Sequence, residues 1–412
     1  MLFYALLGVA VLIKGPVGIA LPMFAIGLFL LILRRQQPDD TRRSGRLIGI
    51  ARVFAPGNVL RVAWQMRPLT AIVVVAAITV PWYVLVGLRT DGLFLREFFG
   101  THNLDRALKP LQGHSGPFYY YIPAILVGFF PWSVFLGPSL IEAGRRIRQR
   151  REWSVETIFA VCWLAVFVGL WSIPSTKLPH YVLTAYPALA LLTAVFVDAW
   201  IAEPARMNRW WMRNATLTMI VVGLGMAIAL PIVAAIYLPG QWVLGLVGVV
   251  LVVGGGWALI SAERGHPRRA MTTFGVTSVA FLTAMFGFAA LRVDRYQNAP
   301  VVLREIHRDS TAEPQVAAYR FFRESLVFYA GGPVPLCTTG EQIQKFFDDA
   351  EYPYVVTLAE YEEDLRQQFA GELRVVLRRP RFLRSGEVVV LTPSTGERAA
   401  QTVAKTNAHK LR

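Results

Sequence analysis

The sequence predicts an α-helical polytopic membrane protein with a small α/β domain at its C-terminal end. Of its 412 residues, 54% are hydrophobic and only 17% are charged, whereas a soluble domain carries about 25% charged residues. Eight apolar stretches approach the roughly 20 residues that a helix needs to cross a bilayer. The charged residues of the first 290 positions lie mostly between these stretches. Together these observations exclude a disordered, collagen-like or disulfide-rich protein.

The apolar stretches are predicted to be eight membrane-spanning helices. They lie near residues 2–33, 69–88, 119–141, 155–173, 179–200, 214–238, 241–261 and 270–290. The first stretch differs from a signal peptide, because it lacks a basic leader and contains Lys14 within its apolar run.

The net charge of +15 predicts how the spans face. Nineteen basic and five acidic residues, a net +14, lie in four loops, at 34–67, 143–153, 201–213 and 263–269. Basic loops stay in the cytoplasm, so we expect the N-terminus, the other loops and the C-terminal tail on the opposite side. Nucleic acid is an unsuitable partner, because the arginines are divided among short loops instead of forming one basic surface.

After Leu291, five short β-rich segments alternate with three amphipathic helical segments. The predicted strands are Gln315–Tyr319, Val334–Cys337, Tyr354–Leu358, Arg374–Leu377 and Glu387–Leu391. The predicted helices are Phe321–Tyr329, Glu341–Ala350 and Ala359–Phe369. We therefore expect a membrane region at 1–290, a soluble α/β domain at 291–395 and a disordered tail at 396–412. We interpret the soluble domain as a packing or recognition module, with a catalytic role as the alternative.

Lys14 stands about eleven residues into the first predicted span and is followed by Gly15 and Pro16. A charged residue at membrane depth is costly and indicates function, and the Gly-Pro pair would open the helix beside it. One interpretation is a cation that holds an anionic head group. The alternative is a lysine near a frayed helix end that reaches the membrane interface.

The external loop 89–118 contains His102, Asp105, Arg106 and His114. His102 and Arg106 are four residues apart, so a helix would place them on one face, and arginine suits bidentate contacts with phosphate. Two histidines near Asp105 would also suit a metal ion, although their spacing matches no known metal motif. We interpret the tyrosines at 119–121 chiefly as an interfacial aromatic belt.

A third polar group, Ser175–Tyr181, lies in a short external loop between two spans. Its Lys177 would by itself suit an ordinary membrane anchor. Together with Lys14 and Arg106 it would complete a cationic pocket on the external side. Convergent lysine and arginine side chains of this kind typically bind phosphate.

Six short motifs resemble, in order and spacing, those of a family of bacterial membrane glycosyltransferases. They are Lys14-Gly15-Pro16, Val80-Pro81-Trp82-Tyr83, Phe98-Phe99 with His102–Arg106, His114–Tyr121, Phe130-Pro131-Trp132 and Ser175–Tyr181. The family comprises the aminoarabinose lipid A transferases and the protein O-mannosyltransferases, which are glycosyltransferase families 83 and 39 with the GT-C fold. By motif the resemblance covers about residues 1–200, and beyond them it holds by layout only.

The resemblance implies transfer of a sugar, with inversion, from a polyprenyl-phosphate donor to an acceptor outside the cytoplasmic (inner) membrane. Lipid A, a glycan and a protein are all compatible acceptors, and a divalent metal is a possible cofactor. By motif, the residues that would hold the donor phosphate are Lys14, Arg106 and Lys177. Those that would line the same cavity are His102, Asn103, His114 and Tyr181, with Tyr181 at its mouth.

The catalytic acidic residues of this family lie in the external loop after the first of about thirteen spans. No Asp-Glu pair of this chain occupies that position, and the eight predicted spans match the last eight of the family. We therefore expect this chain to be the C-terminal part of such an enzyme, with the general base upstream of Met1, and to be inactive alone. The donor phosphate site, which would stabilise the leaving phosphate, would remain.

Two other functions are compatible with buried cations in a membrane protein. A transporter or lipid flippase would also need broken helices, but its halves typically form an inverted repeat, and Lys14-Gly15-Pro16 has no counterpart in 200–290. A purely structural membrane subunit would make the three cations incidental. Alanine substitution of Lys14 and Arg106 would separate these functions from a transferase.

Overall fold

The computed structural model describes residues 1–35, 53–105, 115–149, 154–206, 208–369 and 373–394. It has two compact units. The first comprises Met1–Val222 and Leu251–Ser278, and the second comprises Gly223–Val250 and Val279–Arg412. The expected domain boundary after residue 290 stays a prediction, and the tail 396–412 lies outside the described residues.

The helices of the membrane region confirm the predicted polytopic architecture. Helices α1 to α11 are Leu2–Lys14, Val17–Arg35, Pro56–Gln65, Pro68–Arg89, Tyr121–Gly128, Leu136–Gln149, Ser154–Ser172, Tyr186–Ala202, Arg209–Tyr237, Leu246–Glu263 and Pro267–Thr283. The 3₁₀ turns Trp132–Phe135, Pro179–Ala185 and Trp242–Gly245 lead into α6, α8 and α10, and α11 continues through a π-helical turn to Asp294. Among the described residues, seven helices are long and apolar enough to cross a membrane, or eight if the bent pair α5–α6 counts as one.

The first predicted span, 2–33, is wrong as a single helix, because the chain breaks at Gly15 and Pro16 into α1 and α2. The hydroxyl of Tyr4 donates a hydrogen bond to the carbonyl of Met66, just before α4. The hydroxyl of Tyr83, near the end of α4, donates to the carbonyl of Val11 over 3.0 Å. Helix α1 therefore runs alongside α4 and in the same direction.

Helix α2 runs the opposite way, so that α1 and α2 form a hairpin. A Cβ atom at Gly27, in the middle of α2, would lie 3.8 Å from the Sδ atom of Met66, at the end of α4 where α1 begins. Gly15, with φ 67° and ψ −153°, adopts a backbone region that is essentially restricted to glycine. Pro16 cannot continue the helix because it has no N–H. The sequence signal for the turn was therefore present, but it marks a reversal instead of an opening within one span.

This reversal moves Lys14 from the middle of a span to the tip of a hairpin, where it is exposed. At 1.5 Å per residue, α1 is about 20 Å long, shorter than the roughly 30 Å of a hydrocarbon core. Its first residues lie beside Met66, the end of the basic loop 34–67. The N-terminus therefore lies at the same end of α4 as this loop, and the expectation that it lies on the opposite side is wrong. Lys14 lies at the other end of α4, which leads into the loop 89–118.

The third predicted span, 119–141, is also interrupted. Helices α5 and α6 are bent by 118° relative to each other at the break before Trp132. The Ser133 hydroxyl donates a hydrogen bond to the carbonyl of Leu126 over 2.6 Å, which satisfies an acceptor that the broken helix leaves open. The rings of Trp132 and Phe135 each lie 5.0 Å from the ring of Phe274, and this packing holds the bend within the first unit.

The soluble part of the second unit is a five-stranded sheet with strand order β2-β1-β3-β5-β4. Strands β1 to β5 are Gln315–Tyr319, Leu336–Cys337, Pro353–Leu358, Leu373–Pro380 and Glu387–Pro393. Strands β1, β2 and β3 are parallel, whereas β5 is antiparallel to both β3 and β4. Helices α12 to α15 are Asn298–Asp309, Glu324–Ala330, Gly340–Asp349 and Glu362–Gln368. The expected α/β domain is thereby confirmed.

The sheet is buried on both of its faces. All six residues of β3 are buried, and such continuous apolar strands are typical of sheets covered on both sides. Val356 belongs to the core beneath α12 and α13, and Val355 belongs to the core beneath α14 and α15. Every predicted strand and helix of this domain corresponds to an observed one. Helix α12 was missed, although its buried positions, Ala299, Val302, Leu303 and Ile306, have helical spacing.

Candidate functional site

The tip of the α1–α2 hairpin and the loop after α4 meet at Gly15 and Asn103. A Cβ atom at Gly15 would lie 2.9 Å from the Oδ1 atom of Asn103. Asn103 lies in a π-helical turn, Arg96–Asp105, and its amide donates a 2.6 Å hydrogen bond to the carbonyl of Phe98. Such turns occur frequently at functional sites. Asn103 is therefore oriented by its own turn and lies directly beside the residue that follows Lys14.

Aromatic packing fixes this external segment to the end of α4. The ring of Tyr83 lies 5.2 Å from that of Phe99, and the rings of Phe94 and Phe98 stack at 5.5 Å. Trp82 contacts Phe94 edge-on at 5.2 Å. Because Tyr83 also binds the carbonyl of Val11, the same residue holds α1 and the segment that carries Asn103.

Lys177 is almost fully buried, with 4% of the residue exposed. Its Nζ atom donates to the carbonyl oxygen of Ser172 over 2.5 Å and to that of Trp171 over 3.3 Å. These carbonyls end α7 and lack partners within the helix, and a cation beside them also complements the helix dipole. Lys177 thus stabilises the end of α7, a role that the sequence did not reveal, and one of its three N–H donors remains.

The loops before α5 and after α7 enclose Lys177. Ser115 and Thr176 form an antiparallel bridge between them. A Cβ atom at Gly116 would lie 3.1 Å from the Cγ atom of Lys177, so only glycine lets this loop approach so closely. On another side the Nζ atom lies 5.6 Å from the ring centre of Tyr121, a cation–π distance. Tyr121 is 1% exposed and was not singled out by the sequence analysis, which interpreted it as part of an interfacial belt.

Tyr181 is buried, with 9% of the residue exposed, and its place at the mouth of a donor cavity stays a prediction. Its ring stacks on that of Trp171 at 4.2 Å with an interplanar angle of 30°. The indole Nε1 of Trp171 is buried and has no hydrogen-bond partner among the described residues. A buried polar donor without a partner is costly, and this one lies in the residue whose carbonyl binds Lys177.

The two parts of the site are linked through Trp171. Val17, three residues after Lys14, belongs to the same apolar cluster as Trp171 and Phe167. Trp171 also belongs to the cluster that contains Tyr121 and Tyr181. The hairpin tip and the Lys177 loop are therefore neighbours within the first unit.

Several of the predicted site residues lie outside the part of the chain that the structure describes. Arg106 and His114 fall outside the described residues, and of His102 only the backbone is described. Among the described side chains, no group of three histidine, cysteine, aspartate or glutamate residues is arranged to hold a metal ion. We therefore assign no step to a metal, and the roles of these residues stay predictions.

The sequence of this chain is similar to those of known aminoarabinose transferases. A stretch of 202 residues is 32% identical to the undecaprenyl phosphate-α-4-amino-4-deoxy-L-arabinose arabinosyl transferase of Pectobacterium carotovorum, covering 47% of this chain and 34% of that protein. The same-named protein of Edwardsiella ictaluri is 26% identical over 340 residues, which is 80% of this chain and 54% of the relative. The chain thus spans between a third and just over half of the length of these relatives. No protein-family profile matches it.

The fold is shared with a solved structure. The crystal structure of ArnT from Cupriavidus metallidurans bound to undecaprenyl phosphate matches with a TM-score of 0.65 at 22% identity. The match covers 94% of this chain and 67% of that chain, and the apo state gives 0.64. This chain therefore shares the fold of that ArnT structure, and parts of its sequence are similar to the aminoarabinose transferases. The resemblance inferred from the six motifs is thereby confirmed.

The electrostatics of this chain favour an anion beside Lys177. Burial lowers the pKa of Lys177 from its ordinary value, because the charged form loses hydration. Among the described residues, no carboxylate pairs with Lys177 or with Lys14. The sequence identified both cations, but not Trp171, whose carbonyl orients one of them and whose indole N–H is free to donate.

Proposed function

We propose that this chain functions as a membrane glycosyltransferase whose donor is a sugar linked to undecaprenyl phosphate. The observation that carries the proposal is the apolar cluster shared by Val17, three residues after Lys14, and Trp171, whose carbonyl binds Lys177. Gly15, beside Lys14, also contacts Asn103. The names of the relatives support aminoarabinose as the sugar. Of lipid A, a glycan and a protein, the aminoarabinose relatives favour lipid A as the acceptor. The C-terminal domain would then lie outside the inner membrane, with the acceptor.

The chemistry of such a transfer requires cations at the leaving group. The bond between the sugar carbon and the phosphate oxygen breaks, so negative charge grows on the departing undecaprenyl phosphate. Donors fixed where charge develops stabilise the transition state. We assign this role to the exposed ammonium of Lys14 and to the remaining N–H of Lys177, with Asn103 and the indole of Trp171 as neutral donors. Arg106, His102 and His114 would complete the site as the motifs imply.

The general base of the reaction is not assigned to any described residue. A transferase needs a group that removes the proton of the acceptor hydroxyl, and no described carboxylate contacts the two lysines. We therefore propose that the 412-residue chain binds the carrier phosphate without transferring sugar alone. Sugar transfer by the purified chain would contradict this part of the proposal while leaving the donor site standing.

Binding of undecaprenyl phosphate to the purified chain tests the donor site directly. Native mass spectrometry of the detergent-solubilised chain should detect a one-to-one complex, and Lys14→Ala should weaken it by about tenfold, since charge-assisted hydrogen bonds are the stronger ones. Arg264→Ala, in an exposed basic loop, provides a charge-matched control and should bind normally. The proposed donor site would be overturned if the unmodified chain, Lys14→Ala and Arg264→Ala retained undecaprenyl phosphate equally. It would also be overturned if the unmodified chain formed no complex.

A further inference from the structure

The second unit contains a cavity of about 330 Å³ at the junction between its sheet and its helices. It lies between the start of α12, the loop after β1 and the β4–β5 hairpin. Buried apolar residues form its floor, among them Leu326, Val356 and Val388. A cavity with an apolar floor and a few placed polar groups is the usual form of a ligand site.

Three arginines, Arg323, Arg381 and Arg384, line this cavity, and no acidic residue does. The guanidinium groups of Arg323 and Arg381 each lie 5.9 Å from the centre of the Phe321 ring, so one ring holds both cations in the same cavity wall. Two like charges beside one ring repel each other. An anion between them would remove that repulsion.

Other arginines of the same domain form ion pairs with carboxylates. Five of them form ion pairs with aspartate or glutamate: Arg308, Arg320, Arg366, Arg374 and Arg378. Within the described residues, no carboxylate forms an ion pair with any of the three arginines of the cavity. Their charge is therefore left for a ligand.

Hydrogen bonds fix the hairpin that carries two of these arginines. The amide of Asn298 donates to the carbonyl of Pro380 over 2.9 Å, and the backbone N–H of Phe382 donates to the Oδ1 atom of Asn298 over 2.7 Å. Asn298 is the first residue of α12. The cavity wall is thus held in place without a ligand, which lowers the cost of binding.

The cavity lies beside the ends of two membrane helices of the same unit. Phe382 packs against an apolar cluster that contains Leu238, just after α9, and Val293, near the end of the span that begins with α11. The two spans end at Tyr237 and Asp294. A ligand in the cavity would therefore sit at the height where lipid head groups meet water.

We propose that this cavity binds the phosphate monoester head group of an anionic membrane lipid. Arginine contacts phosphate bidentately, and basic pockets beside spans typically receive lipid head groups. Phe321 and Phe382 would contact the glycerol or sugar that carries the phosphate. This site is separate from the one assigned to the sugar donor, and it does not depend on transferase activity.

Competition between lipids of different charge tests the proposal on the full chain in detergent. Native mass spectrometry should show that the chain retains short-chain phosphatidic acid at least about tenfold more strongly than phosphatidylcholine. Only the head group of phosphatidic acid is a phosphate monoester that matches the three cations. The variant Arg323→Gln/Arg381→Gln/Arg384→Gln should lose this preference. The control Arg295→Gln/Arg304→Gln/Arg379→Gln removes the same charge from outside the cavity and should keep it.

A second variant keeps the test decisive if the triple substitution unfolds the domain. Ser325→Asp adds a carboxylate to the cavity lining. Because an acidic residue suits the first turn of α13, the melting temperature should stay unchanged, whereas binding of phosphatidic acid should be lost. Equal retention of both lipids by the unmodified chain would overturn the proposal, as would a Ser325→Asp variant that binds like it. Inorganic phosphate that binds as tightly as phosphatidic acid would overturn the lipid as the source of the phosphate.

Discussion

The side-chain amide of Asn103 lies against the backbone of Gly15, close enough that a Cβ atom there would be 2.9 Å from its Oδ1 atom. This contact joins two segments that are separated in the sequence by α2, α3 and α4 but lie at the same end of α4. It also explains why Lys14 is followed by glycine. Any larger residue would push Asn103 away from the hairpin tip.

We expect Gly15→Ala to weaken undecaprenyl phosphate binding by about tenfold and to lower stability by about 1–3 kcal/mol, the cost of a non-glycine residue in this backbone region. Thermal unfolding and native mass spectrometry of the solubilised chain measure the two effects. Gly27→Ala is the matched control, because its Cβ atom would find only an ordinary contact at 3.8 Å. Equal behaviour of the two variants would show that the Gly15–Asn103 contact has no role in binding.

Lys177→Met should reduce both stability and donor binding, because it keeps the buried stem and removes the ammonium. The carbonyls of Trp171 and Ser172 would lose their donor, which costs about 1–3 kcal/mol for buried polar groups. Thermal unfolding measures the first effect and lipid retention the second. Loss of binding at unchanged melting temperature would show that Lys177 acts only on the ligand and does not stabilise α7.

The dependence on pH should have opposite signs for binding and for stability. Burial lowers the pKa of Lys177, so phosphate affinity should fall as pH rises through that lowered value, before the ordinary pKa of about 10.4 is reached. In the same interval the unfolded chain holds the extra proton, so stability should rise with pH. Affinity and melting temperature measured between pH 7 and about 10 test this. If Lys177→Met shows the same pH dependence of affinity and of melting temperature, another group is responsible for both.

The sequence predicted the polytopic fold but not its breaks, and the reason is physical. Hydropathy reports that 2–33 is apolar and not whether the chain reverses within it, because both arrangements bury the same residues in lipid. Gly15 and Pro16 carried the signal for reversal, yet a Gly-Pro pair is also tolerated inside a membrane helix. The charge of the loops predicts the direction of α2 and of every later span independently of this error.

Some residues of the candidate site could be predicted from the sequence and others could not. Lys14 and Lys177 could be found from the sequence, because a lysine among apolar residues is conspicuous. The partners of Lys177 could not, because Ser172 and Trp171 contribute backbone oxygens, and any residue would provide them. Gly116 is the exception, since a glycine beside the Tyr119–Tyr121 run is a signal for close approach, and Lys177 fills the space that it leaves.

Helices α9 and α10 cross in the second unit with their backbones in contact at Gly248. A Cβ atom there would lie 2.3 Å from the carbonyl oxygen of Gly223 and 2.4 Å from the nitrogen of Ala227. Small residues at such crossings let membrane helices approach closely. We expect Gly248→Ala to destabilise the chain by about 1–3 kcal/mol, as overpacking does, measured by thermal unfolding in detergent.

Gly256→Ala provides the control on the same helix, since no atom lies within 4 Å of the position of its Cβ. It should leave stability unchanged or raise it slightly, because alanine favours helix over glycine by about 1 kcal/mol. The sign of the effect should therefore differ between Gly248 and Gly256. Stabilisation by both substitutions would show that α9 can shift to accommodate the added methyl group.

The acid stability of the C-terminal domain should depend on Asp309. Its carboxylate accepts bonds of 2.9 and 2.6 Å from the guanidinium of Arg374 and one of 3.0 Å from the hydroxyl of Tyr354. The hydrogen bond from Arg374, followed by the smaller effect of Tyr354, lowers the pKa of Asp309. Because the unfolded value is about 3.9, this stabilisation is complete above that pH and is lost as pH falls through the lowered value.

Asp309→Asn should therefore lower the melting temperature at pH 7 and flatten its decline in acid. Arg374 is about half exposed, with 47% of its side chain accessible, so water screens the pair and the expected loss is only about 1 kcal/mol. Asp349→Asn, at an exposed position of α14, is the control for removing one negative charge. Melting curves recorded between pH 3 and about 7 should separate the two variants above pH 4 and bring them together below it. Parallel curves over the whole range would show that the loss of stability in Asp309→Asn comes from packing around Tyr354. A loss caused by the charge of Asp309 would depend on pH.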